Sequence, residues 1–594
     1  MIITGAFLIV WIGLKTAPYS GLGIEVLFNL EKILFSEPFK IEIVNGTLKN
    51  VMLLLGIYAF VVMYYMTTLK NYRRREEYGS AKWGDVHALL KKYGQDKSTD
   101  RILSMNTRLG MDMYRHQKNL FTLVVGGSGA GKTRRYVIPN ILQCSGSMVV
   151  CDPKGESVRA TGRILEKKGY KVKVLDLINM EKSLRYNPFR YITNENDVQR
   201  VATMVLKATG KPGQESKAQD PYWENAAEEV LLTLMLYLYY EAPEDEQNFG
   251  MVMDMVRAIT KCDDEEDEGN DMSPLDILFL ELKVRNPEHP ALKYYQDFMG
   301  LPNRTLQTIK STLTAKLSKF NLKELISLTN TDEIELDRMG EEKIALFCVT
   351  PDMDTSFNFL VSVLYLQAFQ RLAYIADKKY KGLLPVPVHF LMDEFANVAL
   401  PDDFEKIQSV IRSRGVNMSI LLQNMSQIKA LFKDTWESIV GNCDTFLYLG
   451  GNEQSTHKYV SELLGKETID TNTYGKTHGT KGSFSTNDQQ TGRELMTPDE
   501  VRQLDNRYCI LFIRGERPVI DRKYNLFKHP LIHETPLARK KKAEIYTYGE
   551  VTRSSCEYGI MGYMNPEDVL PEELAAPTVI YDILTEEDIE KILL

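Results

Sequence analysis

The chain has 594 residues, 44% of them hydrophobic, and a formal net charge of -8. Length and apolar content together exceed what one small core uses, so several packed units are expected and disorder is excluded as the main state. The acidic balance excludes whole-molecule basicity, so any nucleic-acid contact has to come from a local patch or a pore lining.

The first apolar run, Ile2 to Leu14, is thirteen residues long and lacks the charged start and small-residue cleavage site of a signal peptide. It reads as a first membrane helix, short for a full span. From Val51 to Leu69 run nineteen uncharged residues, the length a helix needs to cross the hydrocarbon core. Lys70, Arg73, Arg74 and Arg75 follow at once, and the preference of cationic loops for the cytoplasmic side places everything downstream inside the cell. Residues 1–75 are therefore expected to form a two-helix anchor (about 2–15 and 51–69) with an outside loop at 16–49. Such a protein is multi-pass in the inner or cytoplasmic membrane, with its main body in the cytoplasm.

After the anchor, short β-rich runs alternate with helical stretches: LFTLVV at 120–125, a helix from about 131, SMVVCD at 147–152 and YKVKVLDL at 170–177. This is the rhythm of a buried parallel sheet. It returns in KIALFCV (343–349), VPVHFLMD (386–393), NMSILLQ (417–423), TFLYLG (445–450) and CILFIRG (509–515). Between them, residues 196–338 are helical in pattern, with ENAAEEVLLTLMLYLYY the clearest case. Its apolar run Val230 to Tyr240 is too short to span a bilayer and reads as a core helix. The expected fold is α/β: a sheet domain of residues 76–195 plus 339–535, an all-α domain inserted at 196–338, and a C-terminal acidic extension at 536–594. The six acids Asp263 to Glu268 read as a solvated loop, the Gly/Ser/Thr-rich stretch Thr471 to Gly492 as a mobile loop, and a weak helical pattern starts at Glu586.

The run LFTLVV leads directly into Gly126, Gly127, Ser128, Gly129, Ala130, Gly131, Lys132 and Thr133, which satisfies GxxxxGK[ST] between a strand and a helix. Such a turn directs successive backbone N–H groups at phosphates, with the positive end of the next helix behind them. Lys132 is expected to bridge the β- and γ-phosphates of ATP, and Thr133 to ligate Mg²⁺ through its hydroxyl. The apolar run HFLM ends in Asp393 and Glu394. Asp393 suits the magnesium shell, and Glu394 suits general-base work on the attacking water. Gln423, at the end of SILLQ, is placed to face the γ-phosphate. Arg412 or Arg414 is placed to reach a neighbouring subunit's nucleotide.

Seven cysteines (144, 151, 262, 348, 443, 509 and 556) are scattered without a CxxC pair. They speak against a disulfide framework and a zinc site and fit a reducing cytoplasm. His529 and His533 flank Pro530 with no helical pattern to hold two metal ligands on one face.

Taken in order, EYGSAKW (77–83), the glycine loop, CDPKGE (151–156), YNPF (186–189), DPYWENAA (220–227), MDEFAN (392–397) and LLQNMSQI (421–428) resemble the conjugative coupling proteins, the TraG-like ATPases of type IV secretion systems. The resemblance covers about residues 77–530. It implies a RecA-like nucleotide-binding domain with an inserted all-α domain, assembled as a homo-hexamer around a channel and anchored by two N-terminal helices. It further implies partners: relaxase-linked, single-stranded DNA, the relaxase itself and the secretion-channel proteins. It supports Lys132, Thr133, Asp393, Glu394, Arg412 and Gln423 in the roles above and places the loop Asp152 to Glu156 near the site. Asn424 stands where a serine is common in the family.

Lys310, Lys316, Lys319 and Lys323 fall on one narrow arc at helical spacing beside Ile309, Leu313, Leu317 and Phe320. A basic stripe there would track a DNA backbone, against the plainer reading of a solvated face. Two other functions fit parts of the pattern. A septal or chromosome-segregation DNA pump shares anchor and motor but usually lacks the large helical insert. A nucleotide-gated receptor for secreted proteins would dock them through the acids between Glu567 and Glu590.

Overall fold

The computed structural model describes residues 2–23, 25–68, 76–209, 221–259, 273–351, 354–401, 403–476, 484–538 and 543–549. The basic flank at 70–75, the acidic run Asp263 to Glu268, the tip 477–483, the tail acids Glu567 to Glu590 and the pattern from Glu586 lie outside them. Two compact units form, one from Met1–Ser80 with Glu467–Arg493, the other from Ala81–Lys466 with Glu494–Leu594.

In the first unit, α1 (Ile2–Thr16) and α2 (Thr47–Thr68) lie against each other. Asn50 Nδ2 donates to the Gly13 carbonyl at 2.9 Å and to Thr16 Oγ1 at 3.0 Å. A Cβ on Gly13 would come within 3.0 Å of the Val51 side chain, so the glycine permits the close approach. The first apolar segment is not short: α1 continues through a tight helical turn, making a predominantly apolar helical stretch of 21 residues from Ile2 to Leu22, and α2 has 22 residues. The expected start at Val51 also moves, to Thr47, because the backbone bonds of a helix carry on through Lys49 regardless of charge. The segment between α1 and α2 is part helical, with turns at Glu25–Phe28 and Leu30–Phe35. Leu53, Ile57, Phe60 and Tyr64 of α2 are exposed, an apolar surface of the kind that lipid covers. The expected mobile loop at 471–492 is corrected: Lys466–Lys476 and Phe484–Glu494 pair as a two-stranded sheet. Tyr78 N donates to Thr468 Oγ1 at 3.0 Å.

The second unit is built on a nine-stranded sheet. Its strands are β1 (Thr122–Val125), β2 (Ser147–Pro153), β3 (Lys171–Asp176), β4 (Ile344–Thr350), β5 (Val388–Met392), β6 (Val416–Leu422), β7 (Thr445–Tyr448), β8 (Tyr508–Ile513) and β9 (Val519–Arg522). They lie in the order β9-β8-β7-β1-β6-β5-β2-β4-β3. β1 to β7 are parallel, whereas β8 runs antiparallel to both β7 and β9. This corrects the parallel expectation for CILFIRG: apolar content carries no direction, and the five-residue link fixes only that β9 returns antiparallel to β8.

β1 is buried on both faces, with Leu123 and Val125 in one apolar cluster and Val124 in another. The first cluster runs on into the helices between β3 and β4, taking in Val230, Leu306 and Leu313. Among these helices are Glu195–Thr209, Pro221–Glu241 and Asn303–Leu317. The helical insert and the sheet thus share one core. The helix Asn358–Lys379 is also long and apolar enough to cross a membrane, but it is buried from Asn358 to Phe369 and serves that core. Residues 543–549 are packed: Tyr546 N donates to the Arg159 carbonyl at 3.1 Å, and the Tyr548 hydroxyl to Asp176 at 2.7 Å.

Candidate active site

The loop after β1 sits at the carboxyl end of the central strands, where open α/β sheets bind ligands. Gly126 N donates to the Leu422 carbonyl at 3.0 Å and Gly127 N to the Gly450 carbonyl at 2.9 Å, so the loop is tied to the ends of both neighbouring strands. Gly129 and Gly131 hold φ of +76° and +88°, which side chains rarely adopt, and this lets the loop turn tightly, with Ala130 N donating to the Gly127 carbonyl at 3.1 Å. Beyond Lys132 the chain enters a π-helical turn, Thr133–Val137, where an expected plain helix would run, and continues as the helix Ile138–Leu142. Pro139 explains the irregularity: it has no N–H to close the ladder.

A cavity of about 280 Å³ lies over the loop. Gly127, Ser128, Gly129, Gly131, Lys132, Thr133, Asp393, Glu394 and Gln423 all line it, so most of the expected site residues meet in one place. Lys132 Nζ donates to the Gly126 carbonyl at 2.9 Å. Thr133 Oγ1 donates to Asp393 Oδ2 at 2.7 Å. Burial pushes the Asp393 carboxyl above the ordinary carboxylate range, opposed by the Thr133 bond and the Lys132 charge. Glu394 is held at φ +53°, a left-handed conformation that costs a non-glycine residue about 1 kcal/mol. Asn397 Nδ2 donates to its Oε2 at 2.9 Å, and Asn358 Nδ2 donates to the Asn397 carbonyl at 3.0 Å. Sequence reasoning assigned no part to either asparagine. Asn397 was legible three residues after the acid, whereas Asn358 is brought in by a helix 36 positions upstream of Glu394.

The opposite wall is formed by the turn after β2. The Asp152 carboxylate accepts from Ser157 N at 2.9 Å and Val158 N at 2.8 Å, which folds Lys154 and Glu156 into the cavity lining. Burial lifts the Asp152 carboxyl to about 6. Gln423 N donates to Gln427 Oε1 at 2.8 Å. Asn424 caps the helix Met425–Leu431 by accepting from Gln427 N at 3.1 Å, which a serine hydroxyl does equally well.

Arg412 and Arg414 do not join this group. They lie in a tight turn before the start of β6, and the seven residues of that strand separate them from Gln423 by roughly 20 Å. Arg414 donates to Asp377 Oδ2 from Nε at 3.1 Å and from Nη2 at 2.8 Å, while Arg412 is exposed.

The basic stripe is also corrected. The helix ends at Leu317, so the four lysines are not on one helix. Lys310 Nζ donates to the carbonyls of Arg257 and Ile259, Lys316 pairs with Glu224 at 2.9 Å, and Lys319 Nζ donates to the Ser356 carbonyl at 2.6 Å. The long stems carry their charges to carbonyls and a carboxylate of the same unit, so these three do not form a row for phosphates.

A family model described as Type IV secretory system Conjugative DNA transfer matches residues 77–553. Protein VirD4 of Rhizobium radiobacter is 21% identical over 471 residues, 77% of this chain and 64% of the relative. The conjugal transfer protein TraG of Escherichia coli is 24% identical over 419 residues, 66% of this chain and 62% of the relative. The chain thus spans less than two thirds of the length of these two curated relatives. Among solved structures, the plasmid coupling protein TrwB in complex with the non-hydrolysable ATP analogue ADPNP superposes with a TM-score of 0.55 at 15% identity, covering 80% of this chain and 99% of that one. TrwB in complex with ADP and Mg²⁺ gives 0.53 at 16%, covering 75% and 95%. These likenesses establish a common fold.

Proposed function

Because this chain belongs to the family of type IV secretory system conjugative DNA transfer proteins, we propose that it is a membrane-anchored ATPase that couples relaxase-bound DNA to a secretion channel and drives its transfer. The observation that carries the reading is the 2.7 Å bond from Thr133 to Asp393, two residues 260 positions apart, inside a glycine-loop cavity that Lys132 and Glu394 also line. It is supported by the relatives' names, VirD4 and conjugal transfer protein TraG, and by the nucleotides bound in the TrwB structures.

The paired Thr133 hydroxyl and buried Asp393 carboxylate are hard oxygen donors that would hold Mg²⁺ at this end of the cavity. Bound magnesium supplies positive charge to the β- and γ-phosphates. Of the chain's own groups, the loop N–H groups hold the phosphates and Lys132 swings from the Gly126 carbonyl to the β- and γ-oxygens. Glu394, aimed by Asn397, takes the proton of the attacking water, and Gln423, at the end of the strand beside the loop, orients that water. Arg412 is the residue we assign to a neighbouring subunit's nucleotide in a homo-hexamer, since Arg414 is committed to Asp377. The helices α1 and α2 form the membrane hairpin, which makes the protein multi-pass with residues 76–594 in the cytoplasm. Residues 76–195 with 339–535 serve as motor, 196–338 as the all-α domain and 536–594 as the acidic extension.

The test is ATP hydrolysis by the detergent-solubilised chain with and without single-stranded DNA, beside Lys132→Ala and Glu394→Gln, together with DNA transfer in cells carrying the same variants. The reading expects DNA-stimulated turnover lost in both variants along with transfer. Intact transfer by either variant, or no turnover by the parent, would overturn it.

A further inference from the structure

The C-terminal extension reaches back to the helix that follows β2. Within residues 543–549 burial alternates: Tyr546 and Tyr548 are half-buried against an apolar cluster that includes Val158, Leu165 and Val174, whereas Ile545 and Thr547 are exposed. The seat for Tyr546 is Gly162, in the middle of the helix Glu156–Lys167. A Cβ there would lie 2.4 Å from the Tyr546 ring, so any side chain at 162 expels it. A mid-helix glycine weakens a helix relative to alanine, and here the missing methyl group is what admits the ring. The Tyr546 hydroxyl donates to Glu166 Oε1 at 2.7 Å, one turn further along the same helix.

The same helix carries a wall of the phosphate cavity. Its first turn is held by the Asp152 carboxylate through Ser157 N and Val158 N, and the turn between them brings Lys154 and Glu156 into the cavity lining. Arg159 joins that turn to the C-terminal segment: its guanidinium donates from Nη2 to the Lys154 carbonyl, and its own carbonyl accepts the Tyr546 N–H at 3.1 Å. A second tie is made at the end of β3, where the Tyr548 hydroxyl donates to Asp176 Oδ2 at 2.7 Å. Asp152 and Asp176 stand level in the sheet, both opposite Val349 of β4. Tyr548 is therefore anchored at the height at which the wall is built. The ion pair of Arg163 with Glu544 is exposed and adds little.

Resting on the nucleotide reading above, we infer that Tyr546 and Tyr548 are positioning residues for the phosphate cavity, acting through Arg159 and the Asp152–Glu156 turn. With both rings seated, helix and turn are held in the arrangement that keeps Lys154 and Glu156 in the cavity lining. The coupling is reciprocal by thermodynamic necessity: seating of the tyrosines strengthens nucleotide binding, and bound nucleotide strengthens their seating by the same factor. Glu394 and Gln423 come instead from the ends of β5 and β6, so the effect falls on binding and not on the chemical step.

The test joins amide hydrogen exchange to titration with the magnesium complex of a non-hydrolysable ATP analogue, on the full chain in detergent. Gly162→Ala closes the seat while favouring the helix, and Tyr546→Ala empties it without altering the helix, so the two approach one contact from opposite sides. In the parent the analogue is expected to slow exchange of the 543–549 amides. Each variant is expected to speed that exchange, to weaken the analogue at least about fivefold and to raise the KM for ATP alike, with kcat within about twofold. The double variant loses no more than the larger single effect, because both substitutions remove the same contact. Unchanged analogue affinity in either variant overturns the inference, as does exchange at 543–549 that ignores the analogue, or a fall in kcat at constant KM. Should Gly162→Ala not fold, Tyr546→Ala decides by the same measurements. A parent that binds no analogue overturns the nucleotide reading instead, whereas equal binding by parent and variants overturns only the role of the tyrosines.

Discussion

Asn397 Nδ2 donates to Glu394 Oε2 at 2.9 Å, so an amide three residues along the chain fixes the acid that closes the phosphate cavity. Held at a left-handed φ of +53°, Glu394 depends on such a tether if it is to act as the proposed general base, because its backbone alone does not favour the conformation. Asn397→Ala is expected to lower kcat by about tenfold while leaving the KM for ATP within twofold. Glu394→Gln is expected to lower kcat by at least about a hundredfold with nucleotide still bound. A steady-state kinetic comparison of the two variants, with stability followed by thermal melting, checks this. A rise in KM without a fall in kcat would assign Asn397 to binding instead.

The two arginines before β6 separate by the partners they hold. Arg412→Ala is expected to lower turnover of the assembled protein by about a thousandfold. Arg414→Ala, which removes an ion pair to the exposed Asp377, is expected to change stability by no more than about 1 kcal/mol and turnover by less than threefold. Mixing Arg412→Ala with Lys132→Ala subunits distinguishes action in trans: some activity returns only if one subunit's arginine serves another's nucleotide.

The buried Asp152 gives a pH signature. Burial raises its carboxyl to about 6, so between about pH 4 and 6 the folded chain holds a proton that the unfolded chain has lost. Its contribution to stability is therefore present at pH 4 and lost as pH rises through 6. Denaturant unfolding of the parent and of Asp152→Asn should show their stability difference moving against the parent by about 2 kcal/mol between pH 4 and pH 7. A difference that stays flat across that range would mean the carboxyl titrates normally.

Removing magnesium tests the pairing of Thr133 with Asp393. EDTA is expected to abolish turnover of the parent, and excess Mg²⁺ to restore it. Thr133→Ala is expected to need at least about tenfold more Mg²⁺ for half-maximal rate. A magnesium titration of the two proteins decides the matter, and overlapping curves would remove Thr133 from the metal site.

The lysines at 310, 316 and 319 are tied to carbonyls and to Glu224. Replacing the three with glutamine is expected to lower the melting temperature by several degrees and to leave the salt dependence of DNA binding unchanged. A shallower salt slope with an unchanged melting temperature would restore the DNA-facing stripe.

The sequence alone established the phosphate loop, the strand-terminal acids, the apolar anchor segments and a sheet interrupted by helices, because each is written in contiguous residues whose spacing has a local physical meaning. The glycine turn after LFTLVV and the Asp393–Glu394 pair are of that kind. Tertiary structure decided what depends on distant partners: the antiparallel course of β8, which apolar content does not encode, and the paired strands that replaced the loop at 471–492. It also drew Lys310, Lys316 and Lys319 inward, since helical spacing records which lysines share an arc but not which carbonyls face them. Only the fold placed Asn358 behind Asn397 and Tyr546 against Gly162, because hydrogen bonds and packed rings act over a few ångströms in space, whatever their separation along the chain.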